Sequence, residues 1–373
     1  MKILHIIPNL RKGGAERLVT DIVRELATRE SVEVRMVLFR DEIVYDIQDI
    51  RHLVHIIPAS VHLSLWRKNK FQIDTLQQFL EDFQPDIIHT HLFEAEIVSR
   101  SCIYPKAKWY SHVHDNMSQL ANFRFSSILS KDKYLRLFEK KYLLKRYKIN
   151  NGSQFVAISK HTASYIKSTQ NKFPVILQHN AINFCRFVRP ENHLKPKNDF
   201  IKIINVGSFV PKKNQSFLVK VVSNLKERGF KTKLYFLGDG PTRHEVSEKA
   251  IQFGVMDSCF FEGNVDNVEK HLWDSDIYVH SAKYEPLGLV LLEAMAAGLP
   301  VITLDGGGNR DLIEEGKNGF LIEEANPDLF VEKIMFLIKN KSAYQAVSTN
   351  ANEFAKNYDI KSYVDKLLKL YQA

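Results

Sequence analysis

Short aliphatic and β-branched runs alternate along this chain with longer stretches whose apolar positions recur every three to four residues. MKILHII at the start reads as a buried strand, and NLRKGGAER turns from it into a helix over 15–29. VEVRMVLF (32–39), PDIIHTH (85–91), AKWYSHVH (107–114), FVAIS (155–159) and PVILQHN (174–180) continue the strand series. The pattern then starts again with IKIINVGSF (201–209), a helix over 214–228 and KLYFLGDG (233–240). CFFEGNV (259–265), DIYVHSA (276–282) and LPVITL (299–304) are further strands, and SYVDKLLKLYQ (362–372) is a last amphipathic helix. Between the halves, CRFVRPENHLKPKND (185–199) is polar and holds two prolines, which marks it as a linker. Strands alternating with helices predict parallel sheets with helices on both faces. The expected fold class is therefore α/β, with two Rossmann-like doubly wound domains facing across a cleft. Their expected bounds are 1–187 and 188–355, with 356–373 a C-terminal helix that packs back on the first domain.

Charge separates the halves. The whole chain carries +9, but residues 1–190 hold 29 Lys/Arg against 18 Asp/Glu (+11), whereas 191–373 hold 23 against 25 (−2). The densest basic segment, KDKYLRLFEKKYLLKRYK (131–148), has eight basic and two acidic residues interleaved with Tyr, Leu and Phe. Such a segment suits an anionic membrane surface. No nucleic-acid motif accompanies it, so nucleic acid is not an expected partner. No apolar run approaches the ~20 residues of a membrane span, and the opening apolar stretch ends at Pro8, too short for a signal peptide. The scattered cysteines Cys102, Cys185 and Cys259 fit a reduced, cytoplasmic setting.

The most informative stretch is YEPLGLVLLEAMAAGLPV, residues 284–301. Pro286 suits the first turn of a helix that runs through Ala297 and stops at Gly298, with Pro300 beyond. Gly288 lets a ligand approach the backbone at the helix entrance, where N–H groups and the dipole suit a diphosphate. Glu285 and Glu293, eight positions apart, are then placed to grip two parts of one elongated ligand. A nucleotide sugar has that form. Asp274 and Asp276 have the spacing of a metal-binding pair, but they fall where a helix ends and a strand begins, which assigns them to a turn. GGGNRDLI (306–313) reads as a glycine-rich loop into a helix.

EPLGLVLLEAMAAGLPV, the early GGAER, VGSFVPKKNQ and the GDGP turn together resemble the retaining glycosyltransferases of family 4, over essentially the whole chain. The resemblance implies the GT-B fold, an acceptor-binding first domain and a donor-binding second domain. It implies transfer of a hexose or N-acetylhexosamine from a nucleotide diphosphate sugar, UDP-linked in preference to GDP-linked, to a glycan or lipid-linked acceptor. Configuration is kept and no divalent metal is needed. By position, Glu285 and His114 are the implied catalytic residues, with His112 beside His114 on the same strand face. Gly13, Gly14, Gly207, Ser208, Lys213, Leu287, Gly288, Leu289 and Glu293 are the implied donor-binding set. Lys212 is a close rival of Lys213, and Ser208 stands where the family often has an arginine. Asp311 stands where it often has a glutamate. His89 and His91 are possible acceptor-side contacts. A GT-B nucleotide-sugar 2-epimerase and a non-catalytic nucleotide-sugar-binding homologue are the alternatives. The expected location is cytoplasmic, peripheral at the inner face of the membrane.

Overall fold

The computed structural model describes residues 1–121 and 131–373, with the side chain of Lys131 outside the description. Its contacts divide the chain into two units, Met1–Asn180 with Ile360–Ala373, and Ala181–Asp359.

The first unit begins with β1 (Lys2–Ile7), in which Ile3, Leu4, Ile6 and Ile7 are all fully buried. A strand covered on both faces must read as a continuous apolar run, which is why it was recognisable. Then come α1 (Gly14–Leu26), β2 (Glu33–Leu38), β3 (Val54–Ile56), the short antiparallel pair β4 (Ser60–His62) and β5 (Lys70–Gln72), and α2 (Asp74–Phe83). The unit continues with β6 (Ile87–His91), α3 (Leu92–Ser99), β7 (Lys108–Val113), α4 (Lys131–Ile149), β8 (Gln154–Ala157), α5 (Lys160–Thr169) and β9 (Val175–Leu177). Seven strands form one parallel sheet in the order β3-β2-β1-β6-β7-β8-β9.

The second unit holds α6 (Phe184–Phe187), β10 (Ile201–Val206), α7 (Ser216–Glu227), β11 (Thr232–Leu237), α8 (Arg243–Gln252), β12 (Cys259–Gly263), α9 (Val268–Trp273), β13 (Ile277–His280), α10 (Leu289–Ala296), β14 (Val301–Leu304), β15 (Gly319–Ile322), α11 (Pro327–Lys339) and α12 (Lys341–Lys356). Its six strands are also all parallel, in the order β12-β11-β10-β13-β14-β15. The last helix, α13 (Ile360–Gln372), returns to the first unit, where it packs on α1 and Asp365 pairs with Arg29 at 3.0 Å.

Residues 185–199 are not a detached linker. The Phe187 carbonyl accepts from the Trp273 indole at 2.7 Å, Arg186 pairs with Glu269, His193 with Asp274, and Lys195 with Asp276. This polar stretch is thus laid onto the second unit by its own charges, and the division falls at Asn180/Ala181 rather than at 187/188.

In each sheet the order reverses once, between β1 and β6 in the first unit and between β10 and β13 in the second. Helices leave opposite faces on the two sides of such a reversal, so the carboxyl ends of the flanking strands are left open to a ligand.

Candidate active site

In the second unit, β10 runs into Gly207 and β13 ends at His280. The Pro211–Lys213 turn follows β10, and the Lys213 carbonyl accepts from the Ser281 hydroxyl at 2.8 Å, tying the turn to the end of β13. The Lys213 ammonium pairs with Glu285 Oε2, and His280 Nε2 meets the same oxygen at 3.0 Å. Lys212, the rival lysine, is exposed and lies 5.5 Å from the Tyr284 ring. The geometry thus selects Lys213 for the partly buried position beside Glu285.

Glu285 is only 9% exposed. Burial alone raises a carboxyl, but the Lys213 ammonium and the His280 hydrogen bond outweigh it and hold Glu285 at about 2. His280 is pushed down, by burial first, and stays neutral. It donates from Nε2 to Glu285, which leaves Nδ1 to accept from the Tyr278 hydroxyl at 3.2 Å. Both contacts to Glu285 fall on Oε2, so Oε1 retains acceptor capacity for a ligand hydroxyl. His280 carried no signal in the sequence beyond its place at a strand end, five residues before Glu285.

The segment after Glu285 differs from expectation. α10 starts at Leu289 with Gly288 as its N-cap, so Pro286 and Leu287 precede the helix. The cause is non-local. The Glu285 N–H donates to the Gly306 carbonyl at 2.7 Å and the Gly308 N–H to the Glu285 carbonyl at 2.9 Å, which ties Glu285 to the glycine loop, and the chain bends at Pro286 and Leu287 before the helix. A Cβ at Gly308 would lie 1.8 Å from the Pro286 oxygen, so only glycine permits this approach. The loop leads into a single 3-10 turn, Asn309–Asp311, and not into a helix; half-buried Asp311 ends that turn. The Asn309 amide donates to Thr303 Oγ1 and the Leu304 carbonyl, both at 3.0 Å, while its Oδ1 is buried beside Gly288 without a hydrogen-bond partner. Glu293 lies in the second turn of α10 and is 3% exposed. Its charge and that of Glu285 add to the burial that pushes the Tyr278 hydroxyl well up. Gly207 packs beside the Lys213 stem, whereas Ser208 is exposed.

In the first unit, five imidazoles gather where the strand order reverses. Parallel register sets His5 beside His89 and His91 beside His112, with His114 one step beyond. The rings stack, His112 on His114 at 4.1 Å and 5°, and His89 on His91 at 4.7 Å and 17°. His5 Nδ1 lies 2.9 Å from His91 Nε2, and His91 Nδ1 lies 2.9 Å from His114 Nε2. His112 binds Asn180 at 3.1 Å, and His89 meets the Tyr371 hydroxyl of α13 at 2.5 Å.

Burial lowers every ring, His5 to about 3 and His112 to about 4, and repulsion between rings adds to it at His5, His89, His91 and His114. All five are uncharged at neutral pH. His5 Nε2 is buried without a partner, and an orphaned donor is rarer than an orphaned acceptor, so its proton belongs on Nδ1. That choice passes along the chain and leaves the His114 proton on Nδ1. His89 and His91 are fully buried and do not serve as acceptor contacts. His5 was missed because one histidine inside an apolar strand reads as core.

Ring nitrogens in the groups His5/His89/His91 and His91/His112/His114 lie within 4.8 Å of one another. Stacked rings, however, direct their lone pairs side by side rather than at one point, and several nitrogens are already hydrogen-bonded. Gly13, before α1, has its N–H on the Tyr45 hydroxyl at 2.8 Å and its carbonyl accepting from that hydroxyl at 2.7 Å, and Gly14 is the first helical residue. Asp274 and Asp276 are engaged by His193, Lys195 and the Lys202 N–H.

Two parallel-sheet α/β units with charged and polar groups at their strand-order reversals have the architecture common among two-domain nucleotide-binding enzymes. Family models match nearly the whole chain, Glycosyltransferase Family 4 over residues 12–184 and Glycosyl transferases group 1 over 189–354, so the chain belongs to this glycosyltransferase family. Glycosyltransferase EpsF of Bacillus subtilis (strain 168) is 25% identical over 323 residues, covering 82% of this chain and 79% of that one. The poly(ribitol-phosphate) alpha-N-acetylglucosaminyltransferase of Staphylococcus aureus (strain COL) is 25% identical over 61% of this chain, which spans only 46% of its length. Among solved structures, Anabaena HepE in complex with UDP matches with a TM-score of 0.79 at 17% identity, all of both chains covered. WaaG, a glycosyltransferase involved in lipopolysaccharide biosynthesis, matches at 0.72 and 17%, also over all of both chains. The fold is therefore that of the GT-B glycosyltransferases.

Proposed function

We propose that this chain is a retaining, metal-independent hexosyl- or N-acetylhexosaminyltransferase that uses a UDP-sugar to extend a glycan or lipid-linked acceptor. The observation that carries the reading is the buried Lys213–Glu285–His280 cluster, bonded through its backbone to the glycine loop 306–308. Glu285 keeps Oε1 for donor-sugar hydroxyls, and Lys213 offsets charge on the leaving diphosphate as the glycosidic bond breaks. The backbone of Leu287, Gly288 and Leu289 lies along the diphosphate, with the N–H groups of Leu287 and Gly288 as its donors because the Leu289 N–H donates to the Leu287 carbonyl at 3.0 Å; Gly13, Gly14, Gly207 and Ser208 are the other donor-binding positions. Glu293 binds the ribose, and neutral His114 donates from Nδ1 to the sugar. The UDP in the HepE complex favours uridine, and a GDP-sugar is the competing donor.

The acceptor side rests on the basic first unit, with attachment at the cytoplasmic membrane face. No helix among the described residues is long and apolar enough to cross a membrane. Thermal-shift titration with UDP-, GDP- and ADP-sugars identifies the donor. Turnover in excess EDTA, with retention at the anomeric centre read by NMR, is the expected result. Activity lost to EDTA and restored by Mn²⁺, or an inverted product, overturns the mechanism. Release of a 2-epimeric sugar identifies the epimerase instead, and donor binding without any turnover identifies the binding homologue.

A further inference from the structure

The antiparallel pair β4–β5 stands outside the main sheet and is joined by the turn Leu63–Asn69. That turn is built. The Ser64 N–H donates to Asn69 Oδ1 at 3.0 Å, and the Ser64 hydroxyl accepts from the N–H groups of Trp66 and Arg67 at 3.3 and 3.0 Å. Val61 and Leu63 anchor the hairpin on the core, yet Trp66 at its tip is 83% exposed. Arg67, Lys68 and Lys70 beside it are exposed, and the next acid along the chain is Asp74. Phe71, 46% exposed, stacks on Tyr142 of α4 at 6.2 Å, which sets the hairpin next to the exposed Lys141 and Lys145.

The basic segment 131–148 is less available than its composition implied. Lys140 is buried with its ammonium on the Thr169 carbonyl at 2.8 Å, and Arg146 holds the carbonyls of Arg100, Ser101 and Cys102. These two cations pin α4 to the unit and are unsuited to a charge-reversal test of surface binding.

We propose that the β4–β5 hairpin is a membrane-insertion element, with Trp66 entering the interface of an anionic bilayer while Arg67, Lys68, Lys70, Lys141 and Lys145 meet its headgroups. An amphipathic indole prefers the headgroup level, and adjacent cations supply attraction to anionic lipid. A large exposed aromatic on a hydrogen-bonded turn, followed in sequence by Arg67, Lys68 and Lys70, is complementary to that surface and not to a neutral one. The inference rests on the membrane-facing reading of the first unit and specifies which residues make the contact.

The full-length protein, mixed with phosphatidylglycerol vesicles at low salt, should show blue-shifted tryptophan emission that brominated lipid quenches. Trp109 is buried and Trp273 is hydrogen-bonded to Phe187, so the change reports Trp66. Trp66→Ala should abolish the shift and weaken vesicle binding by about tenfold, with donor hydrolysis unchanged. Lys141→Glu with Lys145→Glu should weaken binding while the wild-type emission shift persists at saturation. Sedimentation with anionic vesicles but unchanged emission overturns the hairpin and leaves the membrane reading standing. Absence of sedimentation overturns both. An emission shift that follows protein concentration without lipid assigns Trp66 to a second copy of the chain and also overturns the proposal.

Discussion

Replacing Lys213 with Met removes the cation that holds Glu285 ionised while keeping the length of the buried stem. Keeping a carboxyl at about 2 when its ordinary value is 4.5 corresponds to about 3 kcal/mol of folding free energy at neutral pH. The sign is set by the direction of the shift. The folded value lies below the unfolded one, so this stability is fully present above about pH 4.5 and is lost as the pH falls towards 2. In the variant, burial acts on Glu285 with only His280 opposing it, and the carboxyl rises above its ordinary value. The ionised form is then penalised at pH 7 and relieved at pH 4. The variant should therefore be destabilised by at least about 3 kcal/mol at pH 7, within the range for breaking a buried pair.

In a unit of this size that is a fall of roughly 6–12 °C in melting temperature. The transition to follow is that of the second unit, by scanning calorimetry of the whole chain, because two units need not unfold as one. The gap between wild type and variant should narrow to roughly half by pH 4. Adding Glu285→Gln to Lys213→Met removes the stranded charge and should recover part of the loss, which a double-mutant cycle measures. A gap below 1 °C at pH 7, or one of the same size at pH 4, would show that Lys213 does not set the state of Glu285.

Other outcomes are expected from the same geometry. Glu285→Ala should lower kcat by ~10²-fold or more, because its sugar contact strengthens as charge develops, whereas Glu293→Ala should act on the donor KM; steady-state kinetics with equal kcat for Glu285→Ala and wild type would remove Glu285 from the site. His5→Phe should soften the acid sensitivity of the first unit, since an imidazole buried neutral costs about 2 kcal/mol between pH 8 and 5 as the unfolded ring takes up its proton; melting curves that stay parallel to wild type over that range would contradict a buried, uncharged His5. Lys212→Ala, at the exposed lysine beside Tyr284, should leave donor KM and melting temperature close to wild type, opposite to Lys213→Met; a matching loss of stability would place Lys212 in the structural pair instead.

β1 was legible because a parallel strand covered on both faces leaves a nearly continuous apolar run, and β6 from its Ile87–Ile88 pair, although its other three residues are polar and equally buried. The three-residue strands β3, β4 and β5 have no such run, and β5, KFQ, is wholly exposed. They are fixed by pairing, not by local pattern. The helix after Glu285 was misplaced for the same reason. Proline at a helix start is a sound local rule, but the glycine loop twenty residues on takes the backbone of Glu285 and delays the helix to Leu289. Glu285 and Lys213 were recognisable from their motifs. Their pairing, and the part of His280 in it, depended on β10 and β13 being neighbours across a reversal of strand order.

The same topology yields opposite electrostatics in the two units. In the first, the strand ends carry imidazoles that burial keeps neutral, and of the five His114 alone is partly exposed. In the second, the open ends carry a cation and an anion already bonded to one another. A net-neutral pair gives little long-range attraction for a diphosphate, so in the proposed reading backbone N–H groups ahead of α10 share in binding it, those of Leu289 and Leu291 being already engaged by the Leu287 and Gly288 carbonyls. That places weight on the unusual features of the segment. Gly288 and the glycine loop keep side-chain bulk away from the helix entrance, and Asn309, with its amide fixed and its Oδ1 unpaired, keeps the loop in register beside it. The serine at position 208 is then intelligible. Where the leaving group is held mainly by backbone dipoles and by Lys213, an arginine at that exposed position is dispensable for the chemistry, and its absence alone does not argue for a protein that binds without turnover.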